Sequence, residues 1–391
     1  MEHYIFYCKL SLLAVLSLIT ACCMLSRRWY VNLAAFLACL SGETFLAYLF
    51  FPGYMLCPAA ASFIILFLSR IWDLSRTPAK GNGADPIRLP VRSGIRESRL
   101  EFHYHYSNFL VYGGAGSGKT KSIGKWLLSE YMRLGFAGFI YDFKDTDYTR
   151  TAYNLIKRHR YPHKFYYVSF DRPERSYRFN PLKVVRDRTE LIQLMEDVLL
   201  ALLPKKEQQN EWVAGGLGIL RGVAFRFWDE FPEHCTLPHI LAFIMTASAR
   251  QLSLFLQQNL VSEMLAGAYL KAEGSEKTQA SYLSTLCNNL ATISQNEEIA
   301  YVLSGDDFDF NLIDPENPKL FAVSNNFSKN SVYAPVISML MTISARQFSM
   351  QNRVPFVYFL DEMTTVNIKN FETLPSVLRE YKAAFILLTQ S

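Results

Sequence analysis

Apolar and polar residues follow one another along this chain in three different rhythms, and each rhythm predicts a different kind of element. The first 72 residues contain three nearly unbroken apolar runs, at 10–26, 31–51 and 55–68. A helix needs about 20 such residues to cross a membrane, so the first two runs are long enough and the third is short. Arg27 and Arg28 lie between the first two runs, no charge separates the second from the third, and Arg70, Arg76 and Lys80 follow. Cationic loops stay on the cytoplasmic side, which favours three transmembrane helices with the N-terminus outside and the bulk of the chain in the cytoplasm. Two spans, with one run lying at the interface, is the alternative. Ile19-Thr20-Ala21-Cys22 resembles a lipoprotein processing box, but further apolar runs follow it, which argues against a cleaved leader. Glu43, the one acid in the second run, reads as an intramembrane functional group, as an interfacial residue, or as a partner for a neighbouring copy.

The second rhythm is polar. Residues 73–101 carry Pro78, Gly81, Gly83, Pro86 and Pro90 and read as a linker followed by a peripheral hairpin. Leu100, Phe102 and Tyr104 then alternate with Glu101, His103 and His105, the pattern of a half-buried strand. The two histidines would share one strand face. No further ligand joins them at metal spacing, so they read as facing solvent.

The third rhythm is a series of short runs rich in strand formers, at 108–112, 138–142, 165–169, 319–323, 355–360 and 384–389, separated by stretches of helical period. That alternation predicts an α/β fold built on a parallel sheet. Between 189 and 303 the strand signal disappears. Leu191, Leu194, Met195, Val198, Leu199, Leu202 and Leu203 recur at helical spacing, and 210–230, 237–259 and 278–303 read the same way. The expected organisation is therefore a transmembrane region at 1–72, a linker and hairpin at 73–101, a sheet domain at 102–188 and 304–391, and an inserted all-α domain at 189–303.

Composition changes this picture little. Half of the 391 residues are apolar, with 29 Phe and 22 Tyr, which excludes a disordered chain. The net charge of +5 permits a nucleic-acid partner without requiring one. Of seven cysteines, Cys8, Cys22, Cys23, Cys39 and Cys57 fall in the apolar N-terminal region, and Cys235 and Cys287 stand apart. No CxxC pair occurs, so neither a zinc site nor a disulfide framework is indicated.

The candidate chemistry begins directly after the 108–112 strand. Gly113-Gly114-Ala115-Gly116-Ser117-Gly118-Lys119-Thr120, followed by Lys121, meets the pattern of a phosphate-binding loop between a strand and a helix covering 121–134. The glycines let backbone N–H groups turn toward phosphate oxygens, and the helix N-terminus adds partial positive charge. Lys119 can reach the β and γ phosphates of ATP, and the Thr120 hydroxyl can ligate Mg2+. Such a loop needs an acidic partner, and the 355–360 strand ends in Asp361-Glu362. Asp361 would hold the metal through its water shell, and Glu362 would orient and polarise the attacking water. Gln390, at the end of the last strand, reads either as a γ-phosphate contact or as an ordinary strand cap. From 150 to 188 the chain is basic and interleaved with tyrosines, which suits single-stranded nucleic acid or simply a solvated face.

Taken in order, these motifs resemble those of the type IV secretion coupling proteins, the conjugative DNA-transfer ATPases. Asp142-Phe143-Lys144-Asp145 is similar to that family's Asp-Pro-Lys-Gly motif, departing at two positions, and Phe179-Asn180-Pro181-Leu182 matches its Phe-Asn-Pro-Leu run. Asp361-Glu362 matches its Walker B acids, and Thr389-Gln390-Ser391 its Thr-Gln-Ser motif. The resemblance spans 102–391. It implies a RecA-like motor domain with ATP and Mg2+ as cofactors, and a homo-hexameric ring anchored in the lipid of the bacterial inner membrane. It also implies passage of relaxase-bound single-stranded DNA to the channel of the secretion system. Lys119, Glu362 and Gln390 would then be catalytic, Gln390 relaying the γ-phosphate to the subunit interface. Family members continue beyond the Thr-Gln-Ser motif, so a truncated chain is expected, and the arginine that acts across such rings is not assigned. Two other readings share these motifs: a double-stranded DNA translocase of the chromosome-segregation type, and a nucleotide-binding docking protein without turnover.

Overall fold

The structure is a computed structural model that describes residues 85–390 except 94–95, 115, 144–145, 204–205 and 369, together with Ile5, Lys9, Phe45 and Tyr48. Of residues 92, 93, 96, 97 and 273 the backbone alone is described. Apart from Phe45 and Tyr48, the three apolar runs, with Glu43 and the five N-terminal cysteines, lie outside the described residues. Among the described residues no helix is long and apolar enough to cross a membrane. The chain divides into two compact units, Met1–Ala84 and Asp85–Ser391, and the second contains every strand of the described residues.

Strands β1 (Ile87–Ser93) and β2 (Arg96–Phe102) form an antiparallel hairpin. The strand pattern expected to continue through Tyr104 stops at Phe102, and Leu100 and Tyr104 are exposed rather than half-buried. His103 and His105 therefore do not share a strand face. His105 Nε2 instead bonds the Asp85 backbone oxygen at 2.7 Å.

The remaining strands are β3 (Phe109–Tyr112), β4 (Ala137–Asp142), β5 (Lys164–Ser169), β6 (Lys319–Ser324), β7 (Phe356–Leu360) and β8 (Ala383–Thr389). They form one sheet in the order β3-β8-β7-β4-β6-β5, with every neighbouring pair parallel. The central strands read as continuous apolar runs because both faces are covered. On one face α1 (Lys125–Arg133) and α2 (Asp147–His159) pack over Ile140, Leu320, Val357, Phe359 and Ile386. The other face, with Phe139, Tyr141, Phe321, Tyr358 and Phe385, joins the core made with the helices between β5 and β6 and with α11 (Asn330–Arg346).

The helices between β5 and β6 are α3 (Arg188–Ala201), α4 (Glu211–Glu230), α5 (Leu237–Thr246), α6 (Ala249–Gln257), α7 (Leu260–Leu265), α8 (Gly267–Lys271), α9 (Glu276–Ser294) and α10 (Glu297–Leu303). Their starts follow local chemistry. Asp187, Asn210, Thr236, Asn259 and Asn296 each accept a backbone N–H of the helix they precede. The single helix expected over 237–259 is broken at Ser248, which forms a reciprocal capping box with Gln251. Asn296 breaks the 278–303 stretch by accepting the backbone N–H of Ile299 at 2.8 Å. An apolar period survives such a break, so periodicity alone overlooks it.

Candidate functional site

Four strands deliver the predicted residues to one edge of the sheet. β3 ends at Tyr112 and runs into the glycine loop, where Gly113 N donates to Thr389 O at 3.3 Å and extends the β3–β8 ladder. The backbone turns left-handed at Gly116 (φ 73°) and Gly118 (φ 82°), a conformation a side chain would resist. Gly114, Gly116, Ser117 and Gly118 are exposed, while Lys119 and Thr120 are half-buried. Lys119 Nζ donates to the Gly113 carbonyl and, at 3.3 Å, to that of Gly114, so its side chain curls back along the loop. Ser122 closes the turn onto Gly118 O through its N–H (2.8 Å) and its hydroxyl (2.7 Å). Residues Thr120–Gly124, which include Lys121, form a wide turn in which Lys125 N reaches Thr120 O, before α1 tightens. Ala115 lies outside the described residues, as do Lys144, Asp145 and Ser391.

The acid pair arrives from β7. Asp361 N donates to Tyr141 O at 3.0 Å, continuing the ladder with β4 one residue past the strand. Glu362 is buried and adopts a left-handed backbone (φ 51°). Its Oε1 accepts the backbone N–H of Gln390 at 2.9 Å. Its carbonyl accepts both the N–H (3.0 Å) and the hydroxyl (2.7 Å) of Thr365. A left-handed glutamate costs about 1–2 kcal/mol, and such strain gathers at functional sites.

The strands carrying the loop and the acids are thus not neighbours. β8 lies between them, bonded to the loop through Thr389 and to Glu362 through Gln390. Two strand spacings, about 10 Å, separate β3 from β7.

Sequence reasoning placed Asp142 only in a motif. The structure buries it completely at the end of β4. Its Oδ2 accepts Tyr148 N (2.9 Å), Thr149 N (3.0 Å) and the Thr149 hydroxyl (3.0 Å), which anchors the first turn of α2. Burial pushes its carboxyl up to about 7. The bonds from Thr149 and Tyr148 pull the other way, and the Asp361 charge adds to the rise. Tyr148 was also missed. It is buried against Phe359, with ring centroids 4.5 Å apart, and its hydroxyl titration is raised chiefly by burial. The available signal was that β4, like β7, ends a fully apolar run in an acid. Nothing local marked Tyr148.

Among the described residues no group of three or more His, Cys, Asp or Glu side chains could hold a metal unaided. Cys235 and Cys287 are free thiols. The basic stretch is split by the fold. Arg178 bonds Asp307 through its N–H (2.7 Å) and lies over the Tyr301 ring, Lys183 pairs with Asp306 (2.7 Å), and Arg186 bonds Gln347 O (2.9 Å). Tyr166 stacks on Phe308 with centroids 4.2 Å apart. Lys157, Arg158, Arg160 and Lys164 are exposed at the opposite edge, where α2 ends and β5 begins. Arg178, Lys183 and Arg186 therefore serve intramolecular contacts.

The profile of the family described as type IV secretory system conjugative DNA transfer matches residues 92–391. No curated protein matches the chain. Among solved structures, the bacterial conjugative coupling protein TrwBdeltaN70 in complex with sulphate is 14% identical, with a TM-score of 0.59 over 83% of this chain and 70% of that one. Plasmid coupling protein TrwB in complex with ADP and Mg2+ is 16% identical, with a TM-score of 0.58 over 80% of this chain and 75% of that one. TrwB with the ATP analogue ADPNP gives 16% and 0.59 over the same shares. At these identities the likeness establishes the fold, a parallel-sheet P-loop architecture.

Proposed function

We propose that this chain, which belongs to the type IV secretory system conjugative DNA transfer family, is a membrane-anchored ATP-driven motor that couples relaxase-bound single-stranded DNA to a secretion channel. One observation carries the reading. The end of β8 is tied on one side to the phosphate loop, by Gly113 N to Thr389 O, and on the other to the buried acid, by Gln390 N to Glu362 Oε1. A group bridging loop and acid would be reported through β8, the coupling that a hydrolysis-driven motor requires.

The residues present fit ATP and Mg2+. The glycine loop and the turn at Thr120 would surround the phosphates, with Lys119 leaving the carbonyls of Gly113 and Gly114 to meet them. Thr120 and Asp361 offer the hard oxygen donors that Mg2+ prefers, and an incomplete protein cage suits a cation that keeps water and arrives with its nucleotide. Bound there, the cation would neutralise charge developing on the phosphates. Glu362 takes the proton of the attacking water. Gln390, fixed to Glu362 through its backbone, contacts the γ-phosphate and relays its loss.

Several further assignments belong to this proposal. Residues 1–72 anchor the chain in the bacterial inner membrane, 102–188 and 304–391 form the motor in the cytoplasm, 189–303 form an all-α domain, and six copies form the ring. The test is ATP turnover by the full chain in lipid nanodiscs, without DNA and with single-stranded or duplex DNA. Stimulation by single strands that is abolished by Lys119→Ala is expected. Preferential stimulation by duplex would indicate a double-strand translocase. Tight nucleotide binding without phosphate release would indicate a docking protein.

A further inference from the structure

Among the described residues, two buried polar atoms on the sheet face shared with α1 and α2 are short of hydrogen-bond partners: Asp142 Oδ1, which has none, and the Tyr148 hydroxyl, which has at most Thr120 beside it. Leaving a buried polar group unpaired costs about 1–3 kcal/mol, so each needs a physical reason. Anchoring α2 does not supply it for the acid, because that task uses Oδ2 alone.

The surroundings of these atoms supply a reason. Tyr141 pairs with Leu360, so Asp142 and Asp361 occupy the next position on adjacent parallel strands and share a face. Tyr148 lies over Phe359 on that same face and against the turn that runs from Thr120 to Gly124. It also lies against Gly124, where a Cβ would stand 2.5 Å from the hydroxyl oxygen. The hydroxyl of Thr120 and the carboxylate of Asp361, the two proposed metal ligands, thus have a second carboxylate near them, already oriented by three hydrogen bonds and with one oxygen free.

We infer that Asp142 is a positioning residue for the nucleotide-bound divalent cation, its Oδ1 accepting a hydrogen bond from a water in the cation's shell. Mg2+ retains several waters when it binds with phosphates, and each needs acceptors that protein oxygens provide. Because Oδ2 of the same carboxylate holds Tyr148 and Thr149, the cation's presence is passed to the start of α2. This inference rests on the nucleotide site proposed above and adds to it a residue and a route for the signal.

The experiment uses the full chain in nanodiscs, ADP as nucleotide and Mn2+ as probe, read by electron paramagnetic resonance. Asp142→Asn keeps an acceptor for α2 but presents an amide donor toward the cation. ADP affinity without metal should be unchanged, while Mn2+ affinity in the ADP complex should fall by about 10–100-fold. Thr149→Val removes one α2 contact and leaves Oδ1 intact, so Mn2+ affinity should stay at the wild-type value. Equal Mn2+ affinity in wild type and Asp142→Asn would overturn the inference, as would equal losses in both variants, which would make Asp142 a helix anchor only. A wild type that binds ADP no better with metal than without would refute the proposed site itself. A measurement on wild type alone covers the case in which Asp142→Asn does not fold. ADP with Mg2+, but not ADP alone, should slow amide hydrogen exchange at Tyr148 and Thr149, and identical exchange in the two complexes would also overturn the inference.

Discussion

Glu362 combines three properties that substitution can separate: a carboxylate, a hydrogen bond to Gln390 and a left-handed backbone. Replacing it with glutamine retains the shape and an oxygen that can still accept Gln390 N–H, so folding stability should stay within about 0.5 kcal/mol of wild type. Turnover should nevertheless fall by about 10²–10⁴-fold, the usual share of a general base and equivalent to about 3–5 kcal/mol of barrier. Alanine leaves the half-buried Gln390 N–H without its partner and keeps the strained backbone, so it should destabilise by about 1–3 kcal/mol. Glycine loses the same bond but relieves about 1–2 kcal/mol of left-handed strain, so its stability should lie above that of alanine. Urea denaturation ranks the variants, and a coupled phosphate-release assay in nanodiscs measures turnover. Glutamine hydrolysing ATP within tenfold of wild type would remove Glu362 as the base. Alanine as stable as glutamine would show that the link to β8 carries no energy, and with it the main support for the proposed coupling.

Three other perturbations have outcomes set by the same geometry. Gly124→Ala would force its Cβ to 2.5 Å from the Tyr148 hydroxyl, and should destabilise the protein by about 1–3 kcal/mol in chemical denaturation, whereas Gly114→Ala, with open space around it, should not. Asp142 titrates near 7 in the folded state against 3.8 for an ordinary solvated aspartate, so the native protein holds an extra proton between those values. Its contribution to stability is therefore lost as pH rises from about 4 to 7, by about 4 kcal/mol at most, and metal-free Asp142→Asn should be the more stable protein at pH 8 and equal to wild type at pH 4, as urea denaturation at the two pH values would show. Arg346 joins α11 to α3 through Asp197 (2.6 Å) and the Glu190 carbonyl (3.2 Å), so Arg346→Met should cost about 1.5–3 kcal/mol, measured by the same denaturation.

Much of what depends on near neighbours along the chain was legible in the sequence. The six strands announced themselves because each is a short apolar run, the glycine loop because its spacing is tied to one strand–turn–helix geometry, and Asp361-Glu362 because an acid pair interrupts a run of buried residues. The helical character of 189–303 showed in its 3.6-residue period. The tertiary structure alone decided how these pieces face one another. Strand order depends on pairing between segments far apart in sequence, so nothing local foretold that β8 would separate β3 from β7 and carry Gln390 to Glu362. The left-handed backbone of Glu362 and the caps that split 237–259 and 278–303 are settled by hydrogen bonds, which hydropathy does not register. The basic stretch reads as continuous along the chain, yet β5 carries its two halves to opposite edges of the sheet. Asp142 shows the difference most clearly: its sequence says only that a strand ends in an acid, while its full burial, its three bonds to α2 and its place beside Asp361 exist only because β4 and β7 lie side by side.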